Sequence, residues 1–162
     1  MGLLPPWPFE PVFHLFSGVV LLVEDEPLVR LVSADILIDA DFRVIEAANV
    51  EEALTVLQAG VEVDVLHSDV KMPPGLNGYE LARQTYECWL CVAILITSGR
   101  EWPQEGDLPP GAAFLAKPCP SETLVSYGRS AAERAQTARA ARSAEDEAGP
   151  GDGAGVPIAK LA

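Results

Sequence analysis

Basic residues are scarce in this chain: 11 Lys and Arg stand against 24 Asp and Glu over 162 residues, a formal net charge of −13. Binding nucleic acid needs a basic face that displaces counterions from phosphate, and no Lys/Arg cluster here supplies one. Cysteine is scarcer still. Cys88, Cys91 and Cys119 are too few for a disulfide framework and suit a reducing compartment. Cys88-Trp89-Leu90-Cys91 has C-x-x-C spacing, but zinc needs a second pair and only Cys119 remains. A thioredoxin-like motif would open a helix after a strand, whereas this one precedes a predicted strand. Long unbroken apolar runs are also missing. Residues 1–18 are apolar but interrupted by Pro5, Pro6, Pro8 and Pro11, and a membrane-spanning helix needs about 20 unbroken apolar residues. No basic residue precedes Leu3, so the basic n-region of a secretory signal is lacking. The stretch reads as a loose extension over residues 1–17, or as an over-long translation start. Docking of Trp7, Phe9, Phe13 and Phe16 on a partner or on the domain itself is the alternative.

What is present is a chain with 49% hydrophobic and 22% charged residues, enough for one globular domain with a real core. Val19–Val23, Arg43–Ala47, a run through Val63, Val65 and Leu66 ending at Asp69, Cys91–Ile96 and Ala112–Ala116 read as strands. Helices are predicted from Pro27 to about Asp39, from Val50 to Ala59 behind an Asn49 cap, from about Gly78 to Glu87 behind Asn77, and from Pro120-Ser121 onward. Leu81, Ala82 and Tyr86 are placed on the inner side of the third helix. Residues 101–111, EWPQEGDLPPG, carry three prolines and two glycines, which disfavours a full helix before the last strand. The alternation implies an α/β fold: a doubly wound five-stranded parallel sheet with helices on both faces and right-handed crossovers, its fourth helix short or irregular. The chain divides into the extension 1–17, a core domain 18–130, and residues 131–162. That last part is an Ala/Arg-rich helix continuation with little to bury, followed by a Gly- and Pro-rich tail predicted to be disordered.

Polar residues sit where the apolar strands stop: Glu24 and Asp25 after the first, Asp69 on the third, Thr97 after the fourth, Lys117 after the fifth. In a parallel sheet those ends share one rim, where ligands collect. Asp69 alone could simply open a turn, and Lys117 alone could be an ion pair with Asp69. Together their chemistry is coherent. Clustered carboxylates resist ionisation unless a cation is shared, and hard oxygen donors with room for water suit Mg²⁺. A metal so held can also take a phosphoryl oxygen, with Lys117 contacting a second and the Thr97 hydroxyl a third. Asp69 is then the candidate nucleophile, because carboxylates form acyl-phosphates.

These segments resemble a response-regulator receiver domain of two-component signalling. LLVEDEP is similar to that family's acidic pair after the first strand, LHSDVKMP to its phosphoacceptor segment, ILITSG to its hydroxyl position, and FLAKP to its lysine with the proline that commonly follows a cis peptide. The resemblance spans roughly residues 18–130 and implies the flavodoxin-like receiver fold with Asp69 as phosphoacceptor. It implies Mg²⁺ bound directly by Asp25, Asp69 and the Lys71 main-chain carbonyl, and by Glu24 through water, with Thr97 and Lys117 holding the phosphoryl group. Phe114 falls at the family's aromatic switch position.

The same resemblance implies a cytoplasmic, stand-alone phosphoreceiver that catalyses only its own phosphorylation and dephosphorylation. A histidine kinase or histidine phosphotransfer protein would be the donor, and an unidentified output protein would read the signal, unless the domain serves as a phosphate sink. No direct nucleic-acid or membrane partner is expected, and a homodimer formed on phosphorylation is left open. The chain departs from the family at Pro74, which looks like an extra residue in the loop after Asp69, and in the Pro-rich stretch 100–111. Lys71 and Gly99 stand where family side chains tune the phosphorylated lifetime. Two other classes compete. An aspartate-nucleophile phosphohydrolase would carry D-x-D after its first strand, where this chain has Glu24-Asp25-Glu26. A non-cycling scaffold of the same fold would have no physical need of clustered carboxylates.

Overall fold

The structure, a computed structural model, describes residues 16–73 and 75–148. Five apolar runs become β1 (Gly18–Val23), β2 (Phe42–Ala47), β3 (Val65–Asp69), β4 (Ala93–Ser98) and β5 (Ala113–Ala116). They pair in parallel in the order β2-β1-β3-β4-β5. Parallel neighbours need a crossover, and α1 (Pro27–Asp39), α2 (Val50–Gln58) and α3 (Gly78–Cys88) supply the first three. The β4–β5 connection holds only turns and bends. Pro103, Pro109 and Pro110 remove the amide donors a helix there would need, so the short or irregular helix expected from sequence is absent. Helix α4 (Ser121–Ala148) closes the order, and no helix among the described residues is long and apolar enough to cross a membrane.

Pleating sends alternate strand residues to opposite faces, and each face builds its own core. Val20, Val65, Leu95 and Leu115 pack with Leu37 of α1 and Leu124, Ala131 and Ala132 of α4. Leu21, Val23 and Leu66 pack with Ala53 and Leu57 of α2 and Leu81 of α3. The helix starts follow the expected chemistry: Pro27 opens α1, while Asn49 and Asn77 accept the amides of Glu52 and Glu80 at 2.8 and 3.0 Å. Tyr86 differs from its expected inward place. It is exposed, and Thr85 turns inward instead, its hydroxyl donating to the Leu81 carbonyl at 2.8 Å.

Past Ser130 the helix has more to bury than an exposed continuation would. Ala131, Ala132 and Ala135 are buried, and their small size brings α4 close to the start of β1, where a Cβ on Gly18 would meet Ala132 Cβ at 2.9 Å. One turn on, Arg139 reaches Asp64 and Glu62, each at 2.8 Å. Cys88 and Cys91 precede β4 as free thiols. Of the aromatic residues considered for docking, Trp7, Phe9 and Phe13 lie outside the described residues, as do Pro74 and the tail 149–162. Phe16 is half-exposed, with the Arg43 guanidinium 5.7 Å above its ring.

Candidate functional site

The carboxyl ends of β1, β3, β4 and β5 meet at one rim. Glu24 follows β1, its amide donating to the Ala47 carbonyl at 3.0 Å and its own carbonyl accepting from Arg30 Nη1 at 2.7 Å. Its backbone is thus clamped between the end of β2 and α1. Asp69 closes β3, and its Oδ1 accepts the amide of Val70 at 2.8 Å. The β3–α3 loop folds back tightly: the Gly78 amide donates to the Val70 carbonyl at 2.8 Å, and a Cβ on residue 78 would run into the Asp69 carbonyl oxygen. Helix α3 can begin against β3 because residue 78 is glycine.

Carboxylate oxygens of Glu24, Asp25 and Asp69 lie within 4.8 Å of one another. Lys117, after β5 and before a cis Lys117-Pro118 bond, places its Nζ 3.3 Å from Glu24 Oε1 and 3.7 Å from Asp69 Oδ2. One ammonium is shared by two acids with a third beside them. Glu24 is 4% exposed and its Oε2 is buried without a partner. Burial, helped by hydrogen bonding to Asp69 and opposed by Lys117, pushes the Glu24 carboxyl up to about 7. A cation would replace the proton that this arrangement otherwise retains. The donor set fits Mg²⁺: few hard oxygens, one of them orphaned, facing an open cavity of about 370 Å³ with room for water. Lys71, Arg100 and Lys117 on the cavity wall add positive charge suited to an anionic ligand.

The structure therefore brings together Glu24, Asp25, Asp69, Lys71 and Lys117, while Thr97 and Phe114 stand differently. Thr97 pairs with Asp69 in the β3–β4 register, yet it is buried, and Ser98 and Gly99 line the cavity where Thr97 does not. Its hydroxyl lies 3.4 Å from His67 Nε2. Phe114 packs on the α3 side of the sheet with Trp102 against it, ring centroids 5.5 Å apart and tilted by 48°. Lys71 Nζ pairs with Glu101 Oε1 at 2.7 Å, tying the β3–α3 loop to the segment after β4. His67, a lone imidazole two residues before Asp69 on β3, is a buried residue that the pattern of strand ends does not single out. Burial, with a smaller push from Lys117, lowers its ring to about 4, so it is neutral at physiological pH.

The sequence profile of the response regulator receiver domain matches residues 20–127. Sensor kinase CckA of Brucella abortus (strain 2308) is 38% identical over 106 residues, which is 63% of this chain but 11% of the kinase. The chain thus spans about a tenth of that relative's length. Among solved structures, the receiver domain of hybrid histidine kinase CckA is 34% identical with a TM-score of 0.61, covering 71% of this chain and 99% of that one. A response regulator receiver protein from Sinorhizobium medicae WSM419 is 25% identical with a TM-score of 0.67, covering 73% and 96%. Response regulator TrrA of Thermotoga maritima, in complex with Mg²⁺-BeF, shares the fold at 22% identity and a TM-score of 0.64, covering 70% and 98%.

Proposed function

The chain belongs to the response regulator receiver domain family of two-component signalling, and we propose that Asp69 accepts a phosphoryl group from a histidine kinase or histidine phosphotransfer protein, thereby switching protein–protein contacts. The observation that carries this reading is the convergence of Glu24, Asp25 and Asp69 within 4.8 Å beside the shared Lys117 ammonium. Likeness to the receiver of a hybrid histidine kinase supports a donor of that class. A similar fold in complex with Mg²⁺-BeF supports the metal.

Asp25, Asp69 and the Lys71 main-chain carbonyl would hold Mg²⁺ directly, with Glu24 acting through water. When bound, the ion supplies positive charge for a phosphoryl oxygen and neutralises the clustered acids. The Val70 amide on Oδ1 orients the Asp69 carboxylate while Oδ2 faces Lys117. Asp69 forms an O–P bond as the donor's N–P bond breaks, and the departing imidazole keeps the electron pair and takes up a proton. Lys117 stabilises charge on the transferring group. Thr97 then turns toward the phosphoryl group and Phe114 rotates, so that modification favours one of two pre-existing arrangements.

Trp102 on Phe114 gives an optical reporter. In a Trp7→Phe background, titration with Mg²⁺ and then beryllofluoride should give a saturable, metal-dependent fluorescence change that Asp69→Asn abolishes. Absence of both metal binding and response would sink the reading in favour of a non-cycling scaffold.

A further inference from the structure

We propose that the apolar segment before Phe16 folds back along the outer face of α1 and covers it, an intramolecular docking that the phosphoacceptor reading neither needs nor implies. That face is apolar where a solvated one would be polar. Leu28 is 77% exposed, and Leu31, Val32 and Ile38 are each more than half exposed. Their three-, four- and seven-residue spacings set them in one line down the helix, while the opposite side buries Ala34 and Leu37. A contiguous apolar stripe of this kind marks a contact surface.

Three observations say what covers it. The first is where the chain enters. The Ser17 amide donates to the Asp41 carbonyl at 2.8 Å and its hydroxyl to the Ala40 carbonyl at 3.0 Å. The segment is therefore anchored at the C-terminal end of α1, the end that carries Ile38. The second is reach. A helix of 13 residues spans about 20 Å, and about seven residues of extended chain match that length. Residues 1–15 supply twice as many, enough to bring Phe13, Phe9 and Trp7 past Ile38 and Leu31 to Leu28. The third is chemistry. Residues 3–13 hold Leu3, Leu4, Trp7, Phe9, Val12 and Phe13, with Glu10 as the single charge. The edge strand β2 lies nearby, but Pro5, Pro6, Pro8 and Pro11 fall at odd and even positions, so either register would lack amide donors for pairing with it. A helix face asks for no such donors. A second copy is the poorer occupant. Two such faces would set the exposed Asp35 and Asp39 against their own copies in a chain of net charge −13. Along α1 the far end of the segment reaches the turn where Glu26 and Val29 line the cavity, so it flanks the site without entering it.

The test reads Trp7 in the full chain carrying Trp89→Phe and Trp102→Phe, which leave it as the sole tryptophan. Its emission should be blue-shifted and shielded from acrylamide at every protein concentration. Leu31→Ser, at a position outside the core, should lower the docked-to-free ratio roughly 10-fold, the scale of withdrawing one leucine from an apolar contact. Leu28→Ser should act likewise, whereas Leu90→Ser, at an exposed position before β4, should leave Trp7 unchanged. Methyl NMR should show cross-peaks from the Trp7 ring to Leu28, Leu31 or Val32. Quenching as free as in urea, shielding that survives both α1 substitutions, or shielding lost on dilution, the mark of a second copy, would overturn the proposal. None of these outcomes touches Asp69, and the phosphoacceptor reading is decided separately by the response to beryllofluoride.

Discussion

Two buried carboxylates stand at opposite ends of this sheet, and they are treated in opposite ways. Asp64, just before β3, and Glu24, just after β1, are each 4% exposed. Asp64 is fully partnered: Oδ1 meets Arg139 Nη1 at 2.8 Å and Oδ2 accepts the Val19 amide at 2.8 Å. Arg139 is fixed in turn by Glu62 at 2.8 Å and the Val63 carbonyl at 3.1 Å. Glu24 has one lysine at 3.3 Å, an orphaned oxygen, and two more acids beside it. Burying a charge is tolerable when each of its oxygens has a partner. The scaffold end meets that condition within the chain, whereas the rim leaves the account open for a cation and an anionic group to settle.

The contrast can be broken most forcefully at Arg139. Arg139→Ala leaves Asp64 buried with a single amide partner and should cost about 3 kcal/mol of stability in a urea melt, with no change in Mg²⁺ affinity. A parallel loss of Mg²⁺ affinity would mean that the two ends are not separate. Glu24→Gln should act with the opposite sign. Removing a poorly answered charge should stabilise the metal-free protein by on the order of 1 kcal/mol at alkaline pH, while Mg²⁺ affinity measured by calorimetry falls.

The same residue sets a pH dependence. Its folded value is raised from 4.5 to about 7, so its contribution to metal-free stability is complete below 4.5 and is lost as pH rises through about 7. Mg²⁺ affinity should climb over that interval as the cation replaces the proton. His67 works in the reverse sense between about 4 and 6.5, so the difference between the protein and Glu24→Gln isolates the carboxyl. The smallest effect belongs to Lys71→Ala. Its pair with Glu101 is close but half-exposed on both sides, and a thermal melt should shift by no more than the equivalent of about 0.5 kcal/mol.

The rim was legible in the sequence because apolar strands stop abruptly at charged residues, and a parallel sheet leaves those ends nowhere else to go. Glu24, Asp25, Asp69 and Lys117 could be placed from that alone. Thr97 was placed on the right strand, but strand alternation buries its side chain near His67, 30 residues away in the chain, and leaves Ser98 and Gly99 on the cavity wall. Burial along α4 was hidden for a different reason. Alanine carries little hydrophobic signal, and the glycine at residue 18 is what lets Ala132 of the helix approach β1 so closely. Tyr86 misled because an aromatic ring at a helical spacing looks inward, whereas Thr85 can bury itself by returning its hydroxyl to its own helix.

The most direct test is intact-mass analysis after incubation with acetyl phosphate and Mg²⁺, followed by peptide mapping. One added phosphoryl group on Asp69 is expected, absent when Mg²⁺ is chelated and absent in Asp69→Asn. Uptake that persists in Asp69→Asn, or no uptake under any metal condition, would contradict it.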